Sequence, residues 1–584
     1  MNRIPVALAV SIGGLCCAVA GCSTRTDVSV TGNTPAQYSH VWITAQAVWF
    51  NTSAIAGPDD GGWIRFPLST PATVDLVTES GGTLGNLVTG LKLAPGTYSQ
   101  VRLIPVDAAA PLTSAAHTAG ALYNAEADYV DSASTPHQLP LELLNPDKGI
   151  GIPGTLKVPV GNVGAALAGT STTTTGTTST ATTSNTTTPT TTTTTSFAIT
   201  FDGARDLTPF TYAAATTPNG ILLSSHASAF DLSEVGGIQG QLTLTNLTST
   251  AGLPAIEVSA QSLSADGTRH GVVSRTPVHA DGSFLLYPLA TSSSTPADYD
   301  LVIHGPGIAT IIIKTVQVTL ASSASTATTT STEAAANATT INPVSVGTLI
   351  PRAASAYTAN PAPASGTALP AGAQIAFYQT LATAGEVPYV IEASPIDPFN
   401  QVLASPQALS TGTVDSGTYS ASGASVTLLS AAPAEHAGGY LVAASAPSFT
   451  DGPLTTTVSA PPPGTTTPVA VTVPALTLAP GVTSGSISAS VIQATAGKYD
   501  HGELLVTHDG TLVATAPLNT ALAQGAGATI TVNGLPTGTS AALYYVSVRA
   551  WSLRNASVKL QRQSYSTAID LRGSATGAVQ VTIN

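Results

Sequence analysis

Val41-Trp42-Ile43-Thr44-Ala45-Gln46-Ala47-Val48-Trp49-Phe50 decides how this chain is read. β-Branched and aromatic side chains lose rotamer freedom in a helix and pack well on a pleated surface, so the stretch predicts a strand. Period two puts Val41, Ile43, Ala45, Ala47 and Trp49 on one face, the expected core side. Trp42, Thr44 and Gln46 take the other. The same texture returns at 100–105, 197–201, 240–244, 308–318, 373–378, 502–507 and 544–551, with Gly, Pro, Asn or Asp between the segments. Helix-period stretches with caps are almost absent, and the fold class expected is all-β.

A weak repeat counts the domains. Tyr98, Tyr299 and Tyr440 each open an apolar strand that ends at a proline seven residues on, at Pro105, Pro306 and Pro447. Tyr545 opens Tyr-Val-Ser-Val-Arg-Ala-Trp551 in the same style without the proline. A turn followed by a tyrosine-led strand suits a late hairpin of a β-sandwich, with the hydroxyl bonded to backbone. The expectation is tandem β-sandwiches of immunoglobulin-like or prealbumin-like kind over 38–230, 231–352, 353–475 and 476–584, after a tether at 22–37. Residues 170–196, nearly all Thr and Ser, and 321–342, rich in Ala, Ser and Thr, lack the apolar side chains that offset the entropy of ordering. Both are predicted to be disordered insertions. The Pro461-Pro462-Pro463-Gly464 run reads as a semi-rigid linker near the last domain.

The start of the chain gives an address. A basic residue, Arg3, precedes an apolar run too short for a membrane span, which closes on Val19-Ala20-Gly21-Cys22. This resembles bacterial lipoprotein signal peptides. The resemblance implies that 1–21 are removed and that Cys22 becomes the lipid-bearing first residue, the attachment to a membrane. Ser23, where the family's inner-membrane retention signal has Asp, implies the outer membrane. Cys16 and Cys17 fall in the discarded run, so no thiol beyond Cys22 remains for a disulfide or a thiolate metal site. The 31 acidic residues outnumber 18 basic ones, for a net charge of -13, and no basic run interrupts the excess. Such a chain repels phosphate backbones, which excludes nucleic acid as a partner.

Two further resemblances cover about half of the mature chain. Residues 38 to about 212 resemble the bacterial lipoprotein family named domain of unknown function 4382. The carrying stretches are Val41 to Phe50, Gly61-Gly62-Trp63-Ile64, Val74-Asp75-Leu76, the turn and strand Leu93-Ala-Pro-Gly-Thr-Tyr-Ser-Gln-Val-Arg-Leu-Ile104, and Phe197-Ala-Ile-Thr-Phe-Asp202. Residues 236 to about 320 resemble the carboxypeptidase regulatory and carbohydrate-binding-like sandwiches, through Gly240-Gln-Leu-Thr-Leu244, Leu253-Pro-Ala-Ile-Glu-Val-Ser-Ala260, Asp281-Gly-Ser-Phe-Leu-Leu286 and Tyr299-Asp-Leu-Val-Ile303. The first family brings no activity. The second implies a scaffold module that in some members binds glycans.

Motifs for catalysis are missing: no Gly-x-Ser-x-Gly elbow, no His-Glu-x-x-His, no phosphate loop and no dinucleotide fingerprint. No catalytic residue and no cofactor are expected, and the chain is read as a non-enzyme. His501, Glu503 and His508 have the wrong parity for one metal site and read as polar strand ends. Glu126, Asp128 and Asp131 are oxygen donors of the kind Ca²⁺ takes, yet a solvated strand face accounts for them. Asp59-Asp60-Gly61-Gly62 reads as a turn. Trp42, opposite the core face, is the candidate ligand-binding residue as a stacking platform for sugars. The preferred structural reading places it under a neighbouring loop or domain. The function expected is a non-catalytic, lipid-anchored envelope protein whose stacked sandwiches serve binding, adhesion or spacing, with glycans or other envelope proteins as partners. The alternatives are a carbohydrate-binding lipoprotein and an envelope hydrolase without a recognisable motif.

Overall fold

Strand Tyr38–Asn51 contains the decisive stretch, and a register shift between Ala45 and Ala47 divides it. Val41, Ile43 and Ala45 face the core as period two requires; past the irregularity Val48 and Phe50 do so instead. The extra residue of a bulge moves every later side chain to the opposite face. Trp49 therefore leaves the core and packs against Trp63 on the outer side, with ring centroids 6.0 Å apart. The assignment of Ala47 and Trp49 to the core face is corrected accordingly. Full burial of each Val, Ile or Phe contributes about 1.5–3 kcal/mol, so register here is strongly specified.

The computed structural model describes residues 24–159, 194–320 and 342–584, apart from 132–133, 213–217, 225, 245–252, 293–294, 382–385, 402–406, 412–413, 423–424, 433–438, 455, 460, 463–466, 524–527, 540–541, 556–559 and 566. Cys22, the signal segment 1–21, residues 170–193 and residues 321–341 lie outside the described residues. The remaining three residues of the Thr-rich tract, Thr194–Ser196, open strand Thr194–Asp202 and are not part of an insertion. Nor are residues 24–33 a tether. They form strand Thr24–Asn33, paired to Gly85–Leu93 and Thr194–Asp202.

The chain is a tandem array of β-sandwiches, and one strand plan is used four times. In each, the opening strand runs parallel to a late one and antiparallel to a third: Thr24–Asn33 beside Thr194–Asp202, Val235–Leu242 beside Val344–Leu349, Ala356–Pro363 beside Val469–Val473, and Thr483–Gln493 beside Thr576–Ile583. A larger sheet covers this small one, and a separate core lies between them. The tyrosine hydroxyls meet backbone carbonyls as expected: Tyr98 donates to Ala94 at 3.0 Å, Tyr299 to Ala290 at 2.6 Å and Tyr440 to Ser410 at 2.7 Å. In the fourth sandwich Tyr544 has this place, donating to Pro536 at 2.6 Å, one residue before the Tyr545 that the repeat picked out.

One hairpin crosses a domain boundary. Val414–Ser420 and Ser425–Ala432 follow the start of the third sandwich in sequence, yet they extend the large sheet of the second, Ile311 to Lys314 pairing in parallel with Asp415 to Thr418. This pairing covers what would otherwise be the free edge of Ile311–Val318.

Candidate functional site

In a chain with 8% charged residues, several of the charged side chains inside strands lie where sandwiches meet. Glu142, 4% exposed, ends strand Pro136–Glu142 of the first sandwich and faces two arginines of the fourth. Arg549 Nε lies 3.4 Å from its Oε2, and Arg562 bonds its Oε1. Burial alone would raise the Glu142 pKa; the two guanidinium groups outweigh it and hold the carboxyl below its ordinary value. Arg102 of the first sandwich, wholly buried, donates to Asp509 of the fourth at 2.7 Å. Tyr545 donates to Asp59 at 2.8 Å across the same seam. Between these pairs Phe210 and Tyr212 meet Phe399 of the third sandwich, and Tyr212 stacks on Trp551 of the fourth at 4.6 Å. The first and fourth sandwiches, furthest apart in sequence, are therefore in contact.

A second polar chain joins the first three sandwiches. Asp202 Oδ1 lies 3.1 Å from Arg275 Nε, Arg275 Nη1 donates to Glu257 at 3.0 Å, and His304 stands 3.5 Å from Glu257 and 3.9 Å from Glu392. Glu392 is pushed up to about 7, by burial and by the nearby Glu257 charge, against the pull of His304 and Arg275. Burial would raise Glu257 as well, but Arg275 and His304 keep it low. Two clefts flank this chain. One, of about 240 Å³, opens where all three sandwiches converge and is lined by Tyr38, Glu257, His304 and Glu392. The other, of about 220 Å³, lies between the first two sandwiches and is walled by Thr194–Asp202, by the edge strand Ser228–Asp231 and by the edge strand His270–Pro277. Domain interfaces are where ligand clefts concentrate.

The residues singled out from sequence lie elsewhere. Trp42 is 7% exposed, packs with Ala116 and Ala121 around the helix Ser114–Ala119, and stacks on His40 at 4.4 Å. Its indole is no open platform. Parity took it off the core side correctly, but the helix covers that side of the sheet. His501 bonds Asp500 at 2.8 Å and His508 meets the Leu543 carbonyl at 3.0 Å, while Glu503 is buried mid-strand; among the described residues no three such groups converge on a metal position. Glu126 and Asp128 are buried too, so the solvated face expected for them is corrected: Glu126 accepts from the backbone of Leu122 and Tyr123, and Asp128 from Gln138 at 3.2 Å. Asp60 caps the turn at Gly57, 2.9 Å away, while Asp59 reaches across to Tyr545. Sequence reasoning missed Glu142, Arg275, Glu257 and Glu392. Their signal was present: a charge inside a β-patterned segment of a charge-poor chain needs a partner.

Residues 23–214 match the profile of the family described as domain of unknown function (DUF4382). No curated protein matches the chain. Solved structures similar to it include the TIE protein of Bacillus anthracis, at 8% identity over 96% of this chain and 74% of that one with a TM-score of 0.15. Two B repeat units of the collagen binding protein of Staphylococcus aureus align at 10% identity over 96% and 99%, TM-score 0.12. The major pilin subunit of Bacillus cereus aligns at 10% over 60% and 99%, TM-score 0.12. Superpositions this loose carry no argument about function.

Proposed function

We propose that this chain, with its DUF4382 domain at 23–214, is a non-catalytic protein of the cell envelope. In this reading a lipid on Cys22 holds it to the outer membrane, and the four sandwiches form a stiff scaffold that presents a surface for binding or adhesion. The observation that carries the reading is the engagement of the buried charges. Glu142, Arg102, Arg275 and Glu257 are each ion-paired with another sandwich or with a neighbour within the junction. The lipobox Val19-Ala20-Gly21-Cys22 supports the anchor. A Cys22→Ala variant is expected to incorporate no palmitate and to accumulate as precursor; unchanged labelling contradicts the anchor. Chromogenic ester, peptide and glycoside substrates are expected to be left intact. Turnover that disappears in Glu392→Gln would instead make the convergence cleft an active site.

A second reading, glycan binding by the carboxypeptidase-regulatory-like sandwich, is favoured by one observation. Strand His270–Pro277 of that sandwich forms a wall of the 220 Å³ cleft, with polar groups directed along it.

A further inference from the structure

Buried polar atoms nearly always find partners, because an unmet one costs about 1–3 kcal/mol. On the wall of the cleft between the first two sandwiches, four make no hydrogen bond: Asn33 Nδ2, Thr200 Oγ1, and the ion-paired Asp202 Oδ1 and Arg275 Nε. Asn33 and Arg275 are each 5% exposed. Arg275 Nε and Asp202 Oδ1 approach to 3.1 Å without the alignment of a hydrogen bond. The unmet set mixes amide and guanidinium donors with a carboxylate acceptor and a hydroxyl that serves as both. A simple ion answers only one kind. A ligand with several hydroxyl groups answers both.

Charge and shape agree with this. Arg205 and Arg275 share the wall with Asp202, and His226 is held by Asp206 at 3.0 Å, so opposite charges alternate and no single sign dominates. Along the edge strand Ser228–Asp231, Ala229 points into the core while Ser228 and Phe230 point to the cleft, and Phe230 is only half-buried. Its ring offers an apolar face to the C–H side of a pyranose, next to the hydroxyl-binding groups. At about 220 Å³ the space falls just below the roughly 300 Å³ at which pockets for drug-sized ligands begin, and suits about one sugar ring. We propose that this cleft binds a neutral saccharide, with Asn33, Asp202, Arg205 and Arg275 meeting its hydroxyls and Phe230 its ring face. The proposal rests on the glycan-binding reading and places that activity here rather than at Trp42.

The test is calorimetric titration of the full chain in detergent with glucose, galactose and N-acetylglucosamine, and with glucuronate and glucosamine as charged counterparts. At least one neutral sugar is expected to bind with a Kd of about 1 mM or tighter, and its charged counterparts about tenfold more weakly. Ser228→Trp, which fills the mouth, is expected to abolish binding without lowering the melting temperature. Arg205→Ala, at a half-exposed position, is expected to weaken binding about tenfold and serves if the first variant misfolds. If no neutral sugar binds, water is the occupant and both the proposal and the glycan reading fall. Binding that survives both substitutions removes the proposal alone, and the glycan site lies elsewhere on the chain. Preference for a charged sugar overturns the balance of charge on which the proposal stands.

Discussion

Glu142 shows what a single carboxylate does in this chain. It is buried against Arg549 and Arg562, so Glu142→Gln leaves two guanidinium groups short of their counter-charge. Breaking one partner out of a buried pair costs about 3–5 kcal/mol, and the urea midpoint of the fourth sandwich is expected to fall accordingly. The pH dependence follows from its lowered pKa: this stabilisation is present above the ordinary glutamate value of 4.5 and is lost as pH falls through the lower folded value. Glu503 has the opposite sign. Burial, with a smaller contribution from Asp397, pushes it up to about 7, so the folded state holds the proton more tightly and stability falls as pH rises from 4.5 towards 7. Glu503→Gln is therefore expected to raise the melting temperature at pH 8 and to change it little at pH 4. A lower melting temperature at pH 8 contradicts this. For Trp42→Ala a loss of about 3–5 kcal/mol is expected, that of a buried indole, together with unchanged sugar binding. These residues divide by legibility. The types and positions were visible in the sequence, whereas the partners of Glu142, 407 and 420 residues away, were not, since no local pattern encodes a contact at that separation.

At the scale of elements, the strand texture was readable because period two and turn residues are local properties. The tyrosine repeat was readable because its turn and strand are local: Tyr98 reaches a carbonyl four residues back and Tyr299 one nine back, although Tyr440 reaches Ser410, 30 residues away. The register shift after Ala45 was not readable, because a bulge leaves no composition of its own, and it carried Trp49 to the wrong face of the expected core. The loan of Val414–Ala432 to the second sandwich was hidden for another reason. Alternation says that a hairpin has a buried face, but not which sheet buries it. The loan has a consequence that fragments expose. Residues 231–352 expressed alone leave Ile311–Val318 as an open apolar edge and are expected to aggregate or unfold at low urea; residues 231–475 are expected to unfold cooperatively. Equal stability of the two fragments, measured by circular dichroism in urea, would show that the borrowed hairpin contributes nothing.

At the scale of the molecule, four cores suggest four beads on a string. The seams say otherwise. The first sandwich meets the fourth through Arg102, Glu142 and Tyr212, the second through Asp202, and the third through Thr211 and Arg205, and the second and third share a sheet. Contacts of this density couple unfolding, since exposing one sandwich strands charges on its neighbours. Differential scanning calorimetry of the full chain measures the coupling directly. One endotherm, with a van't Hoff enthalpy close to the calorimetric enthalpy, is the predicted result, and Glu142→Gln should detach an earlier transition from it. Several independent endotherms in the unsubstituted protein, with a van't Hoff enthalpy of about a quarter of the calorimetric value, would contradict the single interlocked scaffold.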